Sequence, residues 1–130
     1  MFIATGIGPY SGQAVHFRHV APGPKGYAFE RYDYEAWRHW RILDARLAGR
    51  DWLAGGEYTI ADMAFWGWAR AVPFILGEDA WSQLPNAKRL FDRIAARPAA
   101  ERAERLKDAH AFKNSMDAET LAAMYRHTVR

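Results

Sequence analysis

The sequence predicts an all-α protein, a bundle of five to six helices, and three observations carry that expectation. Apolar residues recur at helical spacing in successive windows. No window shows the apolar–polar alternation of a half-buried strand. One segment, around Thr59, carries a complete helix-start signal ahead of an apolar run. At 130 residues the chain is the size of one domain with a real core.

Residues 1–9 read as an extended lead-in interrupted by Gly6, Gly8 and Pro9. A first helix opens at Tyr10-Ser11-Gly12-Gln13, with Ala14, Val15, Phe17 and Val20 apolar, and stops at Ala21-Pro22-Gly23-Pro24. From Tyr27 to about Arg50 the residues Phe29, Tyr32, Ala36, Trp40, Leu43 and Leu47 form an amphipathic stripe, which Gly49 terminates. Gly55 and Gly56 then turn the chain into the capped helix. Thr59 and Asp62 have the spacing of a capping box, each satisfying a free N–H of the first turn, and Tyr58 and Met63 that of a hydrophobic staple. From Ile60 to Val72 the run is apolar on all sides, which predicts a helix enclosed by others. It is too short for a bilayer and is interrupted by Asp62 and Arg70.

Pro73 should kink or stop that helix. Asn86 reads as the N-cap of the next, whose stripe is Ala87, Leu90, Phe91, Ile94 and Ala95. Its arginines, with those as far as Arg105, read as a solvated face. Pro98 opens a surface helix to about His110, and residues 111–130 form a tail with a further helix over 117–125.

Composition narrows the function. Cys is absent, which removes disulfides, thiolate metal sites and a cysteine nucleophile and fits the cytoplasm. The N-terminus lacks the basic segment of a secretory leader. A net charge of +3 gives little electrostatic case for nucleic acid. Six Trp, six Tyr and seven Phe suit the gaps between helices or the wall of an apolar cleft. No phosphate-cradling loop, Ser-His-Asp arrangement or isolated carboxylate pair stands out. His16 and His19 lack the further ligands a metal site needs.

The segment Gly-Gly-Glu-Tyr-Thr-Ile-Ala-Asp-Met-Ala, residues 55–64, resembles the capped sixth helix of the glutathione S-transferase C-terminal domain. Leu84-Pro85-Asn86 and Arg97-Pro98-Ala99 resemble the stretch that follows it in that family. Gly8-Pro9-Tyr10-Ser11-Gly12-Gln13-Ala14-Val15-His16-Phe17 and Glu30-Arg31-Tyr32 are similar to the bacterial nu-class transferases and Ure2. The resemblance covers roughly residues 5–109. It implies a helical domain over residues 1–110 that follows a thioredoxin-like domain and pairs into a homodimer. Its co-substrate would be glutathione and its second substrate a hydrophobic electrophile. In that family the group that activates the glutathione thiol belongs to the thioredoxin-like domain, which these residues do not encode. The expectation is therefore a truncated or split transferase with no catalytic residue of its own, a thioredoxin-like domain in trans being a partner in the split case. The alternative is a stand-alone protein-interaction module of the same fold.

Gln13, His16 and Phe17 share one face of the first helix. The resemblance places that face beside the glutathione cleft and the dimer interface, against the simpler reading that Gln13 and His16 satisfy local backbone groups. Arg31 offers a bidentate grip on a glutathione carboxylate, or an ordinary pair with Glu35 one turn on. Tyr10, Phe17, Tyr34 and Trp37 are candidates for the substrate wall, or simply core. Thr59 and Asp62 are structural.

Overall fold

The computed structural model describes residues 1–113, 115 and 117–126, and among these every element is helical. The α-helices are α1 (Gly8–Val15), α2 (Tyr27–Arg46), α3 (Ile60–Ala69), α4 (Val72–Leu76), α5 (Pro85–Ala95), α6 (Pro98–Arg105) and α7 (Ala118–Met124). π-helical turns at Ile3–Ile7 and His16–Val20 extend α1 at both ends, and 3-10 turns span Glu78–Gln83 and Leu106–Ala109. The bundle exceeds five to six members because the chain breaks between Ala69 and Val72, giving α3 and α4, with Pro73 in the first turn of α4.

α2 is the axis, with α1, α4 and α5 packed around it, while α3 lies against α5 and α6 follows at the edge. Trp40 and Leu43 of α2 and Leu47 just past its end meet Phe65, Val72, Ile75, Leu84, Leu90 and Ile94 in one core. Each such side chain contributes about 1.5–3 kcal/mol by leaving water. A polar tie crosses this core, the Trp40 indole N–H donating to Ser11 Oγ at 3.1 Å. None of the described helices is long and apolar enough to cross a membrane.

Several expectations change. The lead-in is helical from Phe2 onward. Gly6 and Gly8 serve close approach there rather than a break. A Cβ on Gly6 would stand 2.6 Å from His39 Cδ2, and one on Gly8 3.2 Å from the Trp68 ring. α2 ends at Arg46, and Gly49 turns the chain at φ +67°.

Asn86 is not a cap, since α5 begins at Pro85. Its N-terminus is instead capped from α2. Asp44 Oδ1 accepts the Ala87 N–H at 2.8 Å and Oδ2 accepts the Asn86 amide at 3.1 Å. The arginines of α5 are not merely solvated. Arg89 donates to the Leu47 and Arg50 carbonyls at 2.9 and 2.7 Å, closing the C-terminus of α2. Arg93 lies over the Trp52 ring.

The capping box is formed: Asp62 Oδ2 accepts the Thr59 N–H at 2.9 Å, and the Thr59 hydroxyl accepts from the Ala61 N–H at 3.2 Å. Asp62 Oδ1 takes a third bond, from the Leu53 N–H at 2.9 Å. That bond ties the preceding loop to the helix, and sequence spacing gave no sign of it.

α3 is not enclosed. Phe65 and Ala69 are buried, but Ile60 is 83% and Met63 49% exposed, with Ala64 and Gly67 also open. These positions are i, i+3, i+4 and i+7, an apolar face that the described residues leave largely open.

Candidate functional site

Two regions of the surface combine the features a binding site requires. The first is the open face of α3. Its N-terminal part, Ile60, Ala61 and Ala64, lines a cleft of about 650 Å³ with Phe2, Ile3 and Ile42, and Arg46 is its charged residue. Its chemistry is that of an interface, broad and apolar, with few groups to orient a small molecule.

The second lies along the seam between the first helix and α2, where rings succeed one another. Phe2 stacks on His39 at 5.4 Å, and His39 on Tyr10 at 4.5 Å. Tyr10 meets Tyr32 at 6.4 Å, and Tyr32 stacks on Phe17 at 5.4 Å with the planes 5° apart. Phe17 contacts His16 edge-on at 5.1 Å, and His16 meets Tyr125 at 4.9 Å. The π-turn at His16–Val20 carries His16 and Phe17, and such turns are frequent at functional positions.

Of the substrate-wall candidates, Tyr10 and Phe17 are therefore joined, through Tyr32. Tyr34 and Trp37 are not in that row. Tyr34 is exposed on the outer side of α2, and Trp37 packs on the core under the Arg41 guanidinium, 4.9 Å from the ring centre. Gln13 is exposed and makes no side-chain hydrogen bond among the described residues. His19 points elsewhere than His16, its Nε2–H donating to the Phe74 carbonyl at 2.8 Å with the rings stacked. Among the described residues no three metal-ligating side chains converge.

Arg31 pairs with Glu35, as its spacing allows, while remaining about half exposed. Glu35 is buried and also accepts from Arg38 Nε at 2.8 Å. The Arg38 hydrogen bond, then the pair with Arg31, holds its carboxyl below the usual carboxylate range against the opposing effect of burial. Arg31 is correspondingly raised, chiefly by its bond to Glu35. Beside this cluster His39 is buried, its Nδ1–H donating to the Glu35 carbonyl at 2.7 Å. Tyr32, His39 and Tyr125 are the participants that sequence reasoning missed, whereas the Arg31–Glu35 pair is the local alternative that the spacing offered. Tyr32 stood in the α2 stripe and read as core, while Tyr125 is brought in by the tail.

The sequence profile of the glutathione S-transferase C-terminal domain matches residues 30–98. The disulfide-bond oxidoreductase YfcG of Escherichia coli is 40% identical over 94 residues, which cover 72% of this chain and 43% of that protein. A glutathione transferase family member from Pseudomonas fluorescens, solved with two glutathione molecules bound, superposes with a TM-score of 0.72 at 38% identity, over 78% of this chain and 47% of that one. The transferase URE2P6 of Phanerochaete chrysosporium, solved with oxidized glutathione, gives 0.73 at 32% identity, over 82% of this chain and 50% of that one. The chain thus spans about half the length of these relatives.

Proposed function

The chain belongs to the glutathione S-transferase family through its C-terminal helical domain, and from that premise we propose that it is one half of a glutathione-dependent transferase or disulfide reductase. It supplies the electrophile-side wall and the dimer face, and it does not catalyse alone. The observation that carries the reading is the bare apolar face of α3. A folded domain rarely leaves such a face to water unless another surface covers it. The covering surface is the thioredoxin-like half, in the same polypeptide or in trans, which brings the thiol-activating group.

Within that assembly glutathione is the co-substrate and a hydrophobic electrophile or disulfide is its partner. Tyr10, Phe17 and Tyr32 present aromatic surface to the electrophile. Gln13 and His16 offer polar contacts beside them, and Arg31 keeps guanidinium N–H groups free for a carboxylate. The outer side of α2, with Arg31 and Tyr34, is the surface for a second copy in a cytoplasmic homodimer.

The experiment is association. The purified chain is titrated with the thioredoxin-like half of a full-length relative, and complex size is followed by sedimentation. Binding is expected, and Ile60→Glu, at a position exposed in this chain, abolishes it while leaving the thermal midpoint unchanged. Absence of association, or indifference to Ile60→Glu, overturns the reading and favours a stand-alone interaction module.

A further inference from the structure

We propose that α7 is a strap, docked over the His16 face of the first helix and close enough to balance to lift from it. The proposal rests on the reading of that face as a ligand face. α7 approaches the His16–Val20 turn along a trough lined by His16, Val20 and Pro22 on one side and Ala118, Leu121, Ala122 and Tyr125 on the other. The Tyr125 ring stands 4.9 Å from that of His16.

Two features separate this contact from ordinary core packing. The trough keeps about 270 Å³ of open space, so the two sides meet without filling the gap between them. No residue of α7 is buried, Leu121 and Ala122 being only half covered.

α7 also cannot hold itself. It has seven residues, well short of the roughly 12–15 at which an isolated helix becomes marginal in water. The Asp117 cap on the Thr120 N–H, at 2.9 Å, helps only its first turn. Its order therefore depends on docking, and its docking is loose. When seated it closes His16 from one side, and a molecule reaching His16 from that side must displace it.

Carbethoxylation of His16 by diethyl pyrocarbonate, followed by peptide mass spectrometry on the full chain, tests the strap, with exposed His110 as the reference. Leu121→Asp and Tyr125→Ala should raise the His16 rate roughly tenfold, as for a site closed in about nine molecules of ten, while Tyr125→Phe keeps the protection. Circular dichroism confirms that each variant stays folded. Equal His16 rates in the native chain, Leu121→Asp and Tyr125→Ala overturn the proposal. Glutathione titration of the native and Leu121→Asp chains, each assembled with a thioredoxin-like half, reads the ligand face separately. Tighter binding in the variant supports the strap as a regulator, and equal measurable binding overturns that role. No binding by either assembly overturns the ligand-face reading and leaves the shielding result to stand by itself.

Discussion

Asp62 ties the loop before α3 to the first turn of that helix. It is fully buried, and its carboxylate accepts from the Leu53 N–H, the Thr59 N–H and the Thr59 hydroxyl. Asp62→Ala leaves buried donors unsatisfied and should cost about 3 kcal/mol, measured by urea unfolding, whereas Thr59→Ala should cost about 1 kcal/mol. Gly6 is constrained from the opposite direction. The His39 ring cannot retreat, being stacked between Phe2 and Tyr10 and hydrogen-bonded to the Glu35 carbonyl. Gly6→Ala should therefore destabilise by about 1–3 kcal/mol despite the better helix propensity of Ala. Glu35 sets a pH dependence. Its pKa is lowered in the fold, so its contribution is complete above the ordinary carboxylate value near 4.3 and fades as pH falls through the lowered one. The gap in thermal midpoint between the native chain and Glu35→Gln should be widest above about pH 5 and close in stronger acid.

Among the elements, what the sequence could show divides by range. The stripe of α2, the cap of α3 and the stop at Pro22 depend on neighbours within a turn or two, and each was legible as spacing. The trans cap of α5 by Asp44 was not, because it joins residues 42 and 43 positions apart, and the local rule chose Asn86 instead. Asp44→Ala should loosen the α2–α5 junction by about 2 kcal/mol, seen as faster amide exchange at Asn86 and Ala87. The lead-in failed for a related reason. Gly6, Gly8 and Pro9 are helix breakers by propensity, yet the helix runs through all three, Pro9 standing just past the π-turn at Ile3–Ile7. The two glycines are small because His39 and Trp68 press on them. The site was legible in part. Tyr10, Phe17 and His16 came together, while Tyr34 and Trp37 share α2 but face other ways. Periodicity says which residues share a face, not what the face meets.

The whole molecule is a helical bundle with a sound core and one surface that does not match its being alone. That mismatch misled the sequence reading of α3. A helix apolar all round reads as enclosed, and here Ile60 and Met63 stand exposed, which on the proposed function is the face that another domain covers. The family match and the half-length coverage of the relatives point the same way. The measurement that bears most directly on this account is steady-state glutathione conjugation by the purified chain by itself. The account predicts a rate indistinguishable from the uncatalysed reaction, since no group in the chain is assigned to activate the thiol. Turnover comparable to that of a full-length transferase would contradict it.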